Sequence, residues 1–494
     1  MKSRRINLST FFDGVNANLA KSALPINTAR KSYNFCHKSG ALKTGLGANF
    51  MRVKNKLSGV VEGEPGFLWM RMPPATEPAG VYHYRFYDPA DGYTKKHKLV
   101  MIGTNKRVYQ MDVPTMTANF DNSFSQIMVE EMPKNILNYR LKNRDVLIMC
   151  FENEPMHIYD ASLPENERLY VVENAPKMIS MCLHFERLFA VVSGHRNAVW
   201  FSQELDPTMW NISLQGAGFI EMIDERGELT KVVSFENHVY IFREYGIARL
   251  TGFADQTQFQ LNQLFTSSGR IYEDTVTICG DRILFLAEDG LYVFDGLTTR
   301  KISTGIESLL TEEKNKSARG IFYNSKYYLA CYLNFGDEVA FGCEWPEVVA
   351  AHGKPKNNAL IEIDLTTSRL SITRGFDIRF LNTINETDYS QLVFCVGGMF
   401  NMQVWEIFNS YPNAFYLPMH RLWLSPRTDL GLPGKKKTIK SVSLITKTQA
   451  RLTMRSDSGE FVINLPGSQD KQTVPCMARG REFEFEFFRG RCLS

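Results

Sequence analysis

The chain has 494 residues, 44% apolar and 12% aromatic, enough to bury at least one full-sized core and to support two or three domains, so disorder is not expected. Charged residues make up 22% and sum to a formal +4, too small a value to argue by itself for nucleic-acid or membrane affinity, so charge does not choose a partner. Nine cysteines with no CxxC pair and no tight cluster exclude a zinc finger or a disulfide framework; they fit a reducing compartment, with most thiols serving as small apolar core groups.

Residues 1–75 carry few strand signals and several turn formers, among them Leu24-Pro25, Gly40, Gly45, Gly47 and Glu62-Gly-Glu-Pro-Gly66. They read as an extended N-terminal arm suited to lying across a neighbour, and their deletion is expected to leave a folded monomer that no longer assembles. The positively charged start, Met1 to Arg5, lacks the apolar run of a signal peptide, and nowhere do eighteen apolar residues stand together. Synthesis in the cytoplasm and no membrane insertion are expected.

Over residues 76–421 one unit recurs: an apolar strand, a polar turn, then a second strand that usually ends in an acid. Copies run Leu99–Asp112, Val146–Asp160, Leu188–Ser202, Val239–Leu250 and Ile283–Gly296, the last with Asp289-Gly290 at its hairpin turn. Two looser copies are Tyr327–Leu333 with Ala359–Asp364, and Leu392–Val396 with Gln403–Ile407. Their starts are 47, 42, 51, 44, 44 and 65 residues apart, close to the forty-odd residues of a four-stranded propeller blade. The reading is all-β, a β-propeller of about seven blades, with six or eight as neighbouring counts. A pair of β-sandwiches is the alternative fold.

The stretch Asn334–Asn358 interrupts one blade, and Glu344-Trp-Pro-Glu-Val-Val-Ala-Ala351 within it reads as a helical turn or two; it is either an interface element or a tolerated insertion. Residues 422–494 form a C-terminal β-sandwich-like domain. It opens with a basic turn, Gly431 to Lys437, and includes Glu482-Phe-Glu-Phe-Glu-Phe487, whose alternation predicts a buried phenylalanine face and a wet glutamate face.

No nucleophile elbow, HExxH, Walker loop or Rossmann glycine pattern is present. Gly45-Leu-Gly47 lacks a third glycine, Cys182 with His184 has no second ligand pair, and the nine histidines are scattered. Ser456-Asp-Ser-Gly459 follows Arg455 where a sialidase-type box wants Ser or Thr. No catalytic, cofactor-binding or metal-binding residue is singled out, no cofactor is implied, and a non-enzymatic protein is expected. Basic runs at Lys2–Arg5, Lys95–Lys98, Lys435–Lys437 and Arg479, Arg481, Arg489, Arg491 read as solvated turns and tail, with weak phosphate contact as the sharper reading.

Several strings together resemble one family. Arg187-Leu-Phe-Ala-Val through Ala198-Val-Trp-Phe-Ser202, Asp206-Pro-Thr-Met-Trp-Asn211, Gly218-Phe-Ile, Gly227-Glu-Leu-Thr, Phe235 to Phe242 and Gly246 to Gly252 are similar to the propeller of bacteriophage tail hub or nozzle proteins. Phe12-Asp-Gly-Val15, Leu24 to Arg30 and Gly40 to Gly45 resemble their arm, and Asp429 to Lys437 with Arg455-Ser-Asp457 their distal β domain.

The resemblance implies a structural virion protein located in the tail. It would form a homo-oligomeric ring, a hexamer, below portal and adaptor proteins, extend the DNA channel, retain packaged genome and anchor fibre, spike or plug proteins. DNA would pass the lumen without sequence-specific contact, past a surface of mixed or acidic charge. Closing such a ring requires heterologous contacts. The competing readings are a carbohydrate-binding or glycan-hydrolysing propeller of a fibre or baseplate, marked by two facing acids in a central pocket, and a cellular protein-interaction propeller.

Overall fold

The computed structural model describes residues 4–6, 14–20, 24–38, 40–54, 67–69, 78–88, 91–112, 117–119, 129–213, 216–252, 258–302, 305–336, 355–367, 369–385, 390–397, 404–408, 413–414 and 417–489. Among them helix is confined to short 3-10 turns, such as Glu273–Thr275 and Glu312–Ser317. Everything else regular is strand.

Seven antiparallel blades follow one another, each with strands a to d running outward from the axis. Blade I is Pro78–Asp88, Thr94–Gly103, Val108–Asp112 and Thr117–Asn119. Blade II is Asn135–Leu141, Arg144–Cys150, Met156–Tyr159 and Leu169–Val172. Blade III is Met178–His184, Arg187–Val192, Ala198–Phe201 and Gly218–Glu221. Blade IV is Leu229–Phe235, His238–Arg243, Gly246–Thr251 and Gln260–Thr266.

Blade V is Thr277–Ile278, Ile283–Ala287, Gly290–Phe294 and Thr299–Ile302. Blade VI is Arg319–Tyr323, Lys326–Cys331, Ala359–Asp364 and Arg369–Arg374. Blade VII takes Asp377–Asn385, Ser390–Gly397 and Val404–Phe408 from the end of the series, and its strand d, Gly47–Phe50, from near the start of the chain.

Every repeat found in the sequence is the b–c hairpin of one blade. Strands b are continuous apolar runs because both faces are covered by neighbouring blades: Arg187–Val192 and Ile283–Ala287 are buried throughout. Apolar clusters join II to III, III to IV, IV to V, V to VI, and VI to VII. A further cluster unites Phe380 and Val393 of blade VII with Tyr82 and Val100 of blade I, so the ring is closed.

The acid that ends strand c caps the following turn. The Oδ1 of Asp160 accepts from the Ser162 N–H at 2.9 Å, that of Asp295 from Thr298 at 2.6 Å, and that of Asp364 from Thr366 at 2.9 Å. In blade V, Ala287 pairs with Gly290, so Glu288 and Asp289 are the turn residues and Gly290, at φ 148°, opens strand c.

The expected arm differs from what the structure places there. Lys31–Tyr33 joins the C-terminal sheet, Phe35–Lys38 pairs with Ala41–Thr44, Gly47–Phe50 completes blade VII, and Arg52–Lys54 extends the sheet of blade I. These strands are three or four residues long and polar, too short to show a period, and they find their apolar partners in distant parts of the same chain. Gly45 belongs to this route rather than to a phosphate loop: a Cβ on it would lie 2.8 Å from the Asn34 carbonyl oxygen, to which its own N–H donates.

The C-terminal domain is a five-stranded sheet in the order Lys31–Tyr33, Arg421–Leu424, Phe483–Arg489, Ala450–Ser456 and Gly459–Leu465. A ribbon of Lys437–Thr446 with Ser468–Gly480 packs Ile439, Val442, Leu444 and Cys476 onto it. The domain expected from residue 422 therefore starts one residue earlier and borrows a strand from the beginning of the chain. Its apolar core is continuous with that of blades V and VI.

The alternating Phe483–Arg489 strand buries Phe483 and Phe485 as its pattern predicts. Its glutamates are not wet, however. Glu484 meets Arg30 at 3.0 Å, and Glu486 meets Arg455 at 2.8 Å, each carboxylate side chain only 13% exposed.

Candidate functional site

In a propeller the axis, where strands a converge, is the natural place for a ligand, and here the polar side chains of those strands turn sideways into the next blade. Asn138 of blade II donates from Nδ2 to the His83 carbonyl of blade I at 3.3 Å and accepts the Arg85 N–H at 3.2 Å. Asn135 donates to Met181 O at 3.0 Å, linking II to III. Ser180 Oγ accepts the Val232 N–H at 3.1 Å, and His184 Nδ1 meets Ser234 Oγ at 2.8 Å, linking III to IV.

The belt continues with Lys231 Nζ donating to Glu273 O at 3.0 Å, then Arg319 against Asp274 at 3.4 Å and the Tyr327 hydroxyl on Thr275 O at 2.7 Å. Asn357 joins VI to VII through Ile378 O at 2.7 Å. Asn382 donates to Val81 O at 2.8 Å and Arg85 to Asn385 O at 2.6 Å, which brings the belt back to blade I. Most of these bonds satisfy backbone groups that the sheet ladders leave over, while His184–Ser234 and Arg319–Asp274 join side chain to side chain.

The seven strands a carry two carboxylates between them, Asp88 and Asp377. One ends its strand and the other begins its strand, so they stand at opposite rims of the ring. Asp88 is held by Lys96 at 2.8 Å, and Asp377 accepts the Lys356 and Asn357 N–H groups at 2.9 and 3.1 Å.

His83 and His97 stack beside the axis in blade I, ring centroids 5.3 Å apart, with Nε2 to Nδ1 at 3.2 Å. Burial first, then Arg85, His97 and Lys95, push His83 down to about 3; burial, then Lys95 and Arg85, push His97 to about 4. His184 is lowered to about 4 by burial and then by His238. Because these folded-state values lie below the ordinary 6.5, the unfolded chain takes up protons first, and stability falls as pH drops from about 6.5 toward 4. Thermal melts should show a Tm that is flat above pH 7 and declines at pH 5, and His83→Gln should weaken that decline.

Other residues picked out in the sequence scatter. Cys182 and His184 lie in strand a of blade III, with the thiol pushed far up by burial. No disulfide links the seven described cysteines, and no group of three or more His, Cys, Asp or Glu among the described residues could hold a metal ion. Cys343, Cys492, Lys2, Ser3 and Arg491 lie outside the described residues, as does the expected helical turn Glu344–Ala351.

Of the basic runs, Lys95–Lys98 sits on strand b of blade I, where Lys96 pairs with Asp88 and Asp91 and His97 is buried. Lys437 caps a turn through Asp429 O at 2.6 Å and Leu432 O at 2.7 Å. Lys435, Lys436, Arg479 and Arg481 are exposed. Asp457 of the Ser456–Gly459 hairpin accepts the Arg481 N–H at 2.6 Å and serves the turn.

The insertion springs from the b–c turn of blade VI, and its base is clamped. Asn358 exchanges two bonds with the Leu333 backbone, at 2.8 and 2.9 Å, while the buried Asn357 amide donates to both Ser317 O and Ile378 O. Asn357→Ala leaves two carbonyls unsatisfied and should cost about 2–4 kcal/mol in urea unfolding, whereas exposed changes nearby should cost less than about 0.5. Sequence reasoning did not find this belt, because its acceptors are backbone carbonyls of other blades and carry no side-chain signature.

No family model matches the chain, and no curated protein matches it. Among solved structures it is similar to Hsv2p of Kluyveromyces lactis, 6% identical with a TM-score of 0.32, over 56% of this chain and 80% of that one. BamB of Moraxella catarrhalis is 12% identical with a TM-score of 0.34, over 64% of this chain and 80% of that one. Likeness at that level carries no argument, and the seven-bladed ring rests on the strand pairings and closed core above.

No helix among the described residues is long and apolar enough to cross a membrane.

Proposed function

We propose that this chain is a structural subunit of a phage tail, a hub or nozzle protein that assembles into a ring extending the DNA channel. The observation that carries the reading is the engagement of the axial polar side chains in blade-to-blade bonds. Groups spent on holding a wall together are not poised for a substrate, and the two carboxylates of strands a, Asp88 and Asp377, are each engaged locally at opposite ends of their strands. The resembling strings Arg187–Ser202 and Phe235–Gly252 form the b–c hairpins and neighbouring turns of blades III and IV, whose strands b are largely buried.

Stiffness also extends beyond the propeller. The N-terminal strands fasten blade VII, blade VI and the sandwich into one body, which suits a part that transmits force between head and tail. Neighbours in this reading are portal and adaptor proteins on one side and fibre, spike or plug proteins on the other. Quantitative mass spectrometry and electron microscopy of purified particles test it: several copies per particle, placed at the tail by difference from a deletion, are expected. Absence from particles, or release of reducing sugar by the purified chain, would refute it.

A further inference from the structure

We infer that the outer face of the C-terminal ribbon docks on the a–b turns of blades III and IV of a second copy of this chain. The inference rests on the ring reading above and names the surfaces that would form the contact.

One face of the ribbon covers the sandwich core; the other is bare. On the bare face Thr438 pairs with Arg479 and Ser443 with Thr473, and Lys440, Lys471 and Met477 project beside them. Met477 is 58% exposed and Ile445 61%. Lys440, Lys471 and Arg479 have no carboxylate within ion-pair distance among the described residues, and Lys435 and Lys436 add two more cations at the end of the ribbon. The face is thus polar and basic, with Met477 and Ile445 as two separate exposed apolar side chains on it.

A surface of opposite character lies elsewhere. The a–b turn of blade III presents Phe185, 59% exposed, and the neighbouring loop presents Leu205, 63% exposed, tied to it by the Leu205 N–H donating to Glu186 O at 2.8 Å. Around them stand the exposed carboxylates of Glu186 and Glu204, while that of Glu236 faces Gly296 of blade V. Glu236 belongs to the adjacent a–b turn of blade IV, held close by the His184–Ser234 bond. The only cation paired with this group among the described residues is Arg187, 3.9 Å from Glu204.

Two apolar protrusions flanked by the acids Glu186 and Glu204 suit a basic face that carries two exposed apolar side chains, and charge complementarity of this kind fixes register and partner. The sandwich shares its core with blades V and VI, whereas the acidic turns belong to blades III and IV. A contact between different surfaces of identical chains is head-to-tail, and when its rotation closes it makes a ring.

Sedimentation velocity of the full chain at 0.15 M and 1 M salt tests this. Wild type should associate at low salt and dissociate at high salt. K440E with R479E, and separately E186K with E204K, should each weaken association at least ten-fold while leaving the melting temperature unchanged. The four changes together in one chain should restore it. Association that survives either pair overturns the docking surfaces and leaves the ring intact as a reading. Loss of duplex DNA retention by K440E with R479E, without loss of association, assigns the ribbon to phosphate and also overturns the proposal. A wild type monomeric at every concentration overturns it too, and the copy number in particles then decides the ring separately.

Discussion

Removal of residues 1–54 is expected to abolish the closed propeller. Gly47–Phe50 is strand d of blade VII, paired along its length with Val404–Phe408. Residues on either side of the strand enter different cores: Leu46 and Ala48 pack with Phe376, Leu381 and Phe394 between blades VI and VII. Met51, fully buried, packs with Tyr82, Val100 and Phe380 between blades VII and I. Deleting one buried Met or Leu side chain costs about 2–5 kcal/mol. Losing these residues together with the ladder bonds of a strand paired on both sides, with Val404–Phe408 and Asn413–Ala414, approaches the whole net stability of a domain, about 5–15 kcal/mol.

The truncated chain should therefore show no cooperative melt and should bind a hydrophobic dye. Met51→Ala, which leaves the backbone in place, should lower stability by about 2–4 kcal/mol and retain a cooperative transition. A truncated chain that melts like the intact one would restore the reading of this segment as a dispensable arm.

The second large effect is expected at Asn34, where three parts of the molecule meet. Its N–H donates to Ile372 O of blade VI at 2.8 Å, and its Oδ1 accepts the Arg374 N–H at 2.8 Å. Its Nδ2 donates to His420 O at 2.7 Å, just before the second strand of the C-terminal sheet. The residue is 2% exposed and sits at φ 59°, a left-handed conformation that asparagine tolerates better than most residues.

Asn34→Ala loses both side-chain bonds in a buried setting, at about 1–3 kcal/mol each, and adds about 1 kcal/mol for the left-handed backbone. Denaturant unfolding should show a loss of about 3–5 kcal/mol in all. It should become biphasic as the sandwich uncouples from the propeller. Asn34→Gly should recover roughly 1 kcal/mol of that loss, the backbone share alone. Equal losses for Ala and Gly would show that conformation plays no part.

The visibility of this fold in the sequence follows burial. Strands b and c lie between neighbouring blades and are apolar on both faces, so they stand out as Ile283–Ala287 and Val146–Cys150 do. Strands a and d are short, half-polar or both: Thr277–Ile278 has two residues, and Thr299–Ile302 reads Thr-Arg-Lys-Ile. Their existence followed from blade spacing and not from their own pattern. The acid closing strand c was visible as a recurrence, but its role as a turn cap needed the geometry of Asp160, Asp295 and Asp364.

The Glu484 and Glu486 face looked wet because alternation reports which side is apolar, and says nothing of arginines arriving from Arg30 and Arg455. The axial belt was invisible for a related reason. A single asparagine such as Asn382 or Asn135 is compositionally unremarked until the carbonyl it reaches is known.

The borrowed strand also sets an order of events during synthesis. Gly47 leaves the ribosome early, yet the edge it must join, ending at Phe408, is made about 360 residues later. At ordinary elongation rates that delay is roughly 20–70 s. Blades I to VI can stack as they emerge, but their circle stays open for that interval, with the strand edge and apolar faces of blades I and VI uncovered. Closure is then a single late event of very long loop length, slow to find and cooperative once found. The newborn chain is most exposed to mispairing with another copy in that window.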